Sequence, residues 1–353
     1  VHFGACGGCA VDDVFAIDKR ALLIAALAKA GFAEAPVAPL VTTPLGTRRR
    51  VDLAVTRHGA ELALGLHRAR SAEVVDMHEC VLLEPALLAL LPKLRVLLRG
   101  LQALRRAGAV IINLLDHGPD FLVRMDAAFT EPDRRRLVDF ARANGVLRVS
   151  VAVRDAAPEL VAMLQPPVLT LSGIAVEPPP GAFLQASRAG EAAIVSAVLA
   201  GLPKLTAKSR IVELYAGVGT LGFALAREAR VEAYEGAADA AVAQDAAIRR
   251  ANLAGRMAVT VRDLARRPLQ PAELAGRAAV VLDPPYAGAG PQMRFLAASG
   301  VARIIYVSCN PAALATDAAV LRRAGYAVLA ATPIDQFPYS ENVESVVVLG
   351  RLK

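Results

Sequence analysis

The spacing of apolar residues changes part-way along the chain. Near the start, Val14, Ile17, Leu22, Ile24 and Leu27 recur at helical intervals, predicting a helix over 13–30 stopped at Gly31. Over 50–67 the pattern alternates, with Val51, Leu53 and Val55, then Leu62, Leu64 and Leu66, about a His58-Gly59 turn. That is the pattern of a β-hairpin. A helix is expected over 82–101, and a strand pair over 110–115 and 121–125. A second helix follows over 131–144, then a strand over 147–153. This first part reads as α+β with antiparallel pairing.

The run Glu177-Pro178-Pro179-Pro180-Gly181 is stiff and suits a boundary, giving units over 1–180 and 181–353. Beyond it, short apolar runs at 211–215, 231–235, 259–261, 279–282, 304–308, 326–331 and 343–349 are separated by helical segments. Repeated strand–helix units imply an α/β, doubly wound parallel sheet with ligands at the carboxyl ends of its strands.

Composition narrows the function. Of 353 residues, 55% are hydrophobic and 21% charged, which excludes wholesale disorder. Mean hydropathy is +0.42, but the most apolar stretch, 81–101, is interrupted by Glu84, Pro85, Pro92, Lys93, Arg95 and Arg99. No membrane span or membrane partner is therefore expected. No signal or transit segment opens the sequence, which points to the cytoplasm. It begins at Val1 rather than Met, which points to further residues upstream. Four cysteines are too few for a disulfide scaffold and fit a reducing compartment. No His follows His117, which excludes a Ser-His-Asp triad or a His-ligated zinc site within the last two thirds of the chain. No G-x-x-x-x-G-K-[ST] run occurs, so an ordinary P-loop is excluded. Nothing sets an oligomeric state.

Four segments carry candidate chemistry. Val212-Glu-Leu-Tyr-Ala-Gly-Val-Gly-Thr-Leu-Gly222 runs from a strand through a glycine-rich turn into a helix. Gly217 and Gly219 there allow close approach of a ligand. Glu235 ends the next strand, where a carboxylate can accept from ribose hydroxyls. A nicotinamide dinucleotide and S-adenosylmethionine both fit such a site. Asp283-Pro-Pro-Tyr286 ends the fourth strand with a rigid turn and a carboxylate, which suits a substrate held beside a cofactor. Cys309 lies at the end of the fifth strand, just before a helix. A cysteine near a helix N-terminus has a lowered pKa and is a credible nucleophile. The segment 335–344 holds Asp335, Glu341 and Glu344 before the last strand.

Together these residues resemble the RNA uracil-5-methyltransferase family, in particular its bacterial 23S rRNA branch with an iron–sulfur cluster. The matching runs are Gly181-Ala-Phe-Leu-Gln185, Leu214-Tyr-Ala-Gly-Val-Gly-Thr220, Asp283-Pro-Pro, Ser308-Cys-Asn-Pro311, and Asp335-x-Phe-Pro with Val343-Glu-Ser345, in order over about 170 residues. The resemblance implies a Rossmann-like methyltransferase domain preceded by a smaller α+β domain with a cysteine cluster. It implies that Cys309 attacks carbon 6 of uracil, so that carbon 5 becomes nucleophilic and takes the methyl group of S-adenosylmethionine. Glu344 then removes the carbon-5 proton as general base. By the same resemblance, Gln185, Tyr215, Gly217, Gly219, Thr220, Glu235, Asp263 and Asp283 form the S-adenosylmethionine site. Three positions depart from the family pattern: Tyr286 for Arg, Ser187 for Asn and Asn342 for His. These bear on substrate contacts rather than on the chemistry. Asp283-Pro284-Pro285-Tyr286 is also the signature of methyltransferases acting on exocyclic amino groups of nucleic acids. That alternative needs neither Cys309 nor Glu344.

Cys6-x-x-Cys9 alone is compatible with zinc, a redox pair or an iron–sulfur cluster. A redox pair leaves Cys80 unexplained. The resemblance implies a [4Fe-4S] cluster on Cys6, Cys9 and Cys80, its fourth ligand upstream of Val1. The substrate implied is RNA, with 23S rRNA favoured by the cysteines. A net charge of +7 permits this. Arg48-Arg49-Arg50 and Arg266-Arg267 are candidate phosphate contacts, and Tyr286 and Phe337 are candidate stacking residues for an unpaired base.

Overall fold

The computed structural model describes residues 3–14 and 16–351. Its first elements are α1 (Lys19–Lys29) and the short strand β1 (Val41–Thr42). A mixed sheet then forms from β2 (Arg50–His58), β3 (Glu61–His67), β4 (Val74–Asp76), β5 (Ala107–Leu114), β6 (Pro119–Met125), β7 (Arg148–Val153) and β8 (Glu159–Met163). Their spatial order is β4-β3-β2-β5-β6-β7-β8, antiparallel except for β6 and β7. That parallel pair is joined by α4 (Glu131–Asn144), whose ends are written in the sequence. Thr130 and Asp133 form a capping box, and Gly145 closes the helix at φ +64°. The helix expected over 82–101 arrives as two, α2 (Pro85–Leu88) and α3 (Leu91–Gly100). Pro92 lacks a donor and clashes inside a helix, but it fits the first turn of a new one.

A two-stranded ribbon, β9 (Leu169–Leu171) with β10 (Ile174–Val176), leads into the second unit. That unit alternates α5 (Arg188–Ala200), β11 (Arg210–Leu214), α6 (Gly222–Glu228), β12 (Arg230–Glu235), α7 (Ala238–Arg250), β13 (Met257–Val261), α8 (Pro271–Leu274), β14 (Ala279–Leu282), α9 (Gln292–Ser299), β15 (Arg303–Ser308) and α10 (Pro311–Arg323). It closes with β16 (Tyr326–Asp335) and β17 (Glu344–Arg351). The sheet order is β1-β16-β17-β15-β14-β11-β12-β13, with β17 antiparallel to both neighbours. Successive side chains of a strand face opposite ways. Thus Ala279, Val281, Ile305, Val307, Val346 and Val348 enter the core under α5, α6 and α7. Val280, Leu282, Ile304, Tyr306, Val347 and Leu349 enter the core on the other face. Both faces are covered, so these strands read as unbroken apolar runs.

The division expected at residue 180 differs from the packing in one respect. Leu23 and Leu27 of α1, with Ala30 and Phe32, join the core of the second unit, and β1 extends its sheet alongside β16. The start of the chain therefore belongs in space with its end. A single hydrophobic core ties together the sheet over 50–163.

Polar groups of that first sheet hold the connecting segment. Arg148 makes two 2.8 Å bonds to Asp120 and donates to the Pro178 carbonyl. Asn113 donates to the Ala182 carbonyl. Arg49 is fully buried, donates to the Gln185 carbonyl at 3.1 Å, and pairs with Glu191 at 2.6 Å. It is thus unavailable to a phosphate, contrary to the reading of Arg48-Arg49-Arg50 as one basic cluster. A buried guanidinium needs such partners to offset its desolvation, and Glu191 and the Gln185 carbonyl supply them.

Candidate active site

The strand order reverses direction between β11 and β14, and a crevice opens there at the carboxyl ends of the strands. Its volume is about 740 Å³. Gln185, Tyr215, Gly217, Thr220, Glu235, Asp283, Cys309 and Glu344 all line it, as do Arg48, Arg50, Tyr286 and Phe337. Gly219 and Asp263 do not. Asp263 instead caps its own turn, accepting from the Ala265 and Arg266 amides at 3.0 and 3.2 Å.

The turn after β11 is built for close approach. Tyr215 has φ +62°, Gly217 +57° and Gly219 +101°. A side chain at Gly217 would project into open space, so its backbone faces the cleft unshielded. Both Glu235 oxygens accept backbone amides at 2.7 Å, from Gly217 and from Ala237. Glu235 thus clamps this turn to the end of β12, and each oxygen keeps a lone pair for a hydroxyl. The Glu235 acceptors and the open backbone at Gly217 fit the hydroxyl-bearing part of an adenosyl ligand.

Opposite this turn the groups are acidic. Cys309 follows β15 and Glu344 opens β17. These strands are neighbours, registered through Ser308 and Ser345. Asn310 caps α10, accepting from the Ala312 and Ala313 amides, and its amide nitrogen donates to the Tyr286 carbonyl at 2.8 Å. The Cys309 flank is thereby tied to the Asp-Pro-Pro turn. Burial holds both Asp283 and Glu344 above the usual carboxylate range, and the Asp283 charge raises Glu344 further.

The Cys309 thiol is pushed up to about 12, by burial first and then by Glu344 and Asp283. This corrects the lowered pKa expected from the helix position. Asn310 already occupies the first free amides of α10, and two carboxylates outweigh the remaining dipole.

Two residues central to the site carried no signal of their own in the sequence. Gln336 donates to Gln185 at 2.8 Å and to Glu344 at 2.7 Å. Lys19, from the distant α1, is buried against Asp335 and donates to the Phe337 carbonyl at 2.7 Å. Glu213 is also buried beneath the turn, one oxygen unpartnered, and burial raises it to about 8. It lay inside the quoted β11 motif without being singled out.

The cysteine loop is held on both sides, with a bridge between Cys6 and Arg68 and two amides on the Tyr339 carbonyl, those of Ala10 and Val11. Gly7 donates to the His67 carbonyl at 2.9 Å, Ala10 donates to the Tyr339 carbonyl at 2.7 Å, and Gly8 donates to Cys6 Sγ at 3.4 Å. Among the described residues, no three His, Cys, Asp or Glu side chains converge as ligands of a metal ion. Nor is any helix among them long and apolar enough to cross a membrane.

Residues 181–352 match the family described as tRNA (Uracil-5-)-methyltransferase. A protein of Rhizobium meliloti (strain 1021) described as an uncharacterized RNA methyltransferase is 38% identical over 99% of this chain and 83% of its own length. One of Caulobacter vibrioides is 36% identical over 99% of this chain and 85% of its own length. Among solved structures, the Pyrococcus abyssi tRNA (uracil-54, C5)-methyltransferase in complex with S-adenosyl-L-homocysteine is similar with a TM-score of 0.70. It covers 94% of this chain and 81% of that one at 21% identity, a likeness of fold.

Proposed function

Because this chain belongs to the uracil-5-methyltransferase family of S-adenosylmethionine-dependent RNA methyltransferases, we propose that it methylates carbon 5 of a uridine in 23S rRNA through Cys309 and Glu344. The observation that carries this reading is the convergence of a thiol, Cys309, and a buried carboxylate, Glu344, on one cleft beside Asp283. Cys309 gives its thiol proton to Asp283 as its Sγ bonds to carbon 6 of the uracil ring, and the ring electrons move to carbon 5 and the 4-oxygen. S-adenosylmethionine supplies the electrophilic methyl group. Glu344 takes the proton from carbon 5, the carbon–sulfur bond breaks, and Cys309 is released. Glu235 and the 215–220 turn would hold the nucleoside part of the donor. The amino-group alternative would leave Cys309 and Glu344 without a task.

An unpaired or flipped uridine is required, because a stacked base hides carbon 6. Arg48 and Arg50 line the cleft where a phosphate would pass, and Tyr286, 62% exposed, stands free to stack. Mapping 5-methyluridine in 23S rRNA and tRNA from cells with and without this protein tests the substrate. One 23S position should lose the mark; loss from tRNA alone would overturn the rRNA assignment.

The same proposal includes a [4Fe-4S] cluster held by Cys6, Cys9 and Cys80. What supports it is the resemblance carried by the three cysteines, although their side chains do not converge as ligands in this structure. Cys6 and Cys80 bear electrostatically on Cys9, and all three bear on Arg48, whose positive charge would offset a thiolate set. A single zinc would draw its sulfurs to about 3.8 Å apart, given zinc–sulfur bonds of about 2.3 Å; a four-iron cluster spreads them more widely. The cluster would pin the loop that joins His67 to Tyr339, and so would brace the segment between Gln336 and Glu344. The protein as its own cells make it, purified anaerobically, should contain about four irons with matching sulfide and absorb visible light. A colourless, iron-free protein would remove the cluster from this reading.

A further inference from the structure

Gln336 is 4% exposed and precedes the cleft-lining Phe337. Its nitrogen donates twice, to Gln185 Oε1 and to Glu344 Oε2. Gln185 donates in turn from Nε2 to Asp283 Oδ2 at 3.2 Å. Two carboxylates at the reacting end of the cleft are thus joined by two amides.

The amides fix the direction of this chain. An amide nitrogen only donates and its oxygen only accepts. Turning Gln336 over would set its oxygen against the Gln185 oxygen and the Glu344 carboxylate and break both bonds. Glu344 Oε2 is therefore committed as an acceptor. A proton arriving at this carboxylate goes to Oε1, which is buried and has no partner. Gly190 makes room for the arrangement, since a Cβ there would meet Gln336 Oε1 at 2.7 Å and its Cβ at 3.0 Å.

We propose that Gln336 is a positioning residue that locks Glu344 with Oε1 free to receive a proton and, through Gln185, ties that base to Asp283. This rests on the reading of Glu344 as the base. The titratable groups bearing on Glu344 are Asp283 after β14 and Cys309 after β15. On β16, Asp335 is engaged by Lys19 from α1, and Arg48 and Arg50 line the far side of the cleft. A donor to the ionised carboxylate favours ionisation, so removing it moves the base further up.

Gln336→Met removes both donors at similar volume, and Gln336→Glu replaces them with an added carboxylate. Each should lower kcat about tenfold or more and move the acid limb of the pH–rate profile upward, by about one pH unit for Met and further for Glu. Both should still trap 5-fluorouridine RNA on Cys309, because formation of that bond needs no proton from carbon 5. Glu is isosteric with Gln, so this variant reads the same limb where the Met variant melts early. Equal losses with an unmoved acid limb would show a merely structural role and overturn the inference alone. If the wild type itself trapped no RNA, the uracil reading would fall with it.

Discussion

Cys309→Ala abolishes methyl transfer, with an expected loss of about 10⁴-fold or more, and removes the covalent adduct that the unaltered protein forms with 5-fluorouridine RNA and S-adenosylmethionine. Carbon 5 of uracil is a poor nucleophile until carbon 6 carries an electron-rich substituent, so no other residue lining the cleft replaces the thiol. The electrostatics add a second expectation. With the thiol pushed up to about 12, only about one molecule in 10⁴ carries a thiolate at pH 8. Alkylation of Cys309 by iodoacetamide in the free protein should therefore be slow and rise steadily with pH. Attack on the ring must move the proton off sulfur at the same time. Asp283, which bears on the thiol and is a stronger base than an exposed carboxylate because burial raises it, is the group to take that proton, leaving Glu344 free for carbon 5. An amino-group methyltransferase has no use for this sulfur. Retained methylation in the Ala variant, with the product on an exocyclic nitrogen, would sink the uracil assignment.

Much of this site was legible because its signals are local. The central strands β11, β14 and β15 are short and mostly apolar, and the glycine turn, Asp283 and Cys309 each follow one of them. Their meeting in one crevice follows from parallel strands alone. The departures have physical causes too. The α1–β1 segment looked like part of the first unit because sequence distance is a poor guide to a strand that pairs across nearly three hundred residues. Val41 and Thr42 are exposed and carry no alternating pattern, and their partners are backbone groups of β16. Arg49 looked like a phosphate contact because a triplet of arginines gives no sign of which one faces inward. In β2 the side chains alternate, and Arg49, just before it, turns into the seam against Glu191. Gln336 gave no signal because a lone Gln in a loop is ordinarily solvated; it matters here through two partners 151 and 8 positions away. The Cys309 pKa departs from the expectation because the thiol is buried, which the sequence pattern did not show, with Glu344 and Asp283 adding to the rise.

Glu344→Gln should lower kcat by about 10²–10⁴-fold while leaving the fold intact, and should accumulate a covalent complex with RNA carrying ordinary uridine. The step it removes comes after the carbon–sulfur and carbon–methyl bonds have formed. With no acceptor for the carbon-5 proton, Cys309 cannot leave, and the protein stays attached to a methylated base. Denaturing gels of the variant with labelled RNA and cofactor read this directly; prompt release of product would exclude Glu344 as the base. Stability should move the other way. Burial and Asp283 raise the Glu344 pKa in the folded protein. The stability tied to this group is therefore complete below the ordinary carboxylate range and is lost as pH rises through the raised folded value. As pH rises through about 8 the unaltered protein takes on the cost of ionising a buried carboxylate with one unpartnered oxygen. The amide carries no charge, and its oxygen still accepts from Gln336. The variant should melt at or above the unaltered protein at pH 8, and the difference should shrink as pH falls. A residue that lowers stability while raising turnover is the mark of chemistry rather than architecture. A lower melting temperature for the Gln variant at pH 8 would instead place Glu344 among the groups that hold β16 to β17.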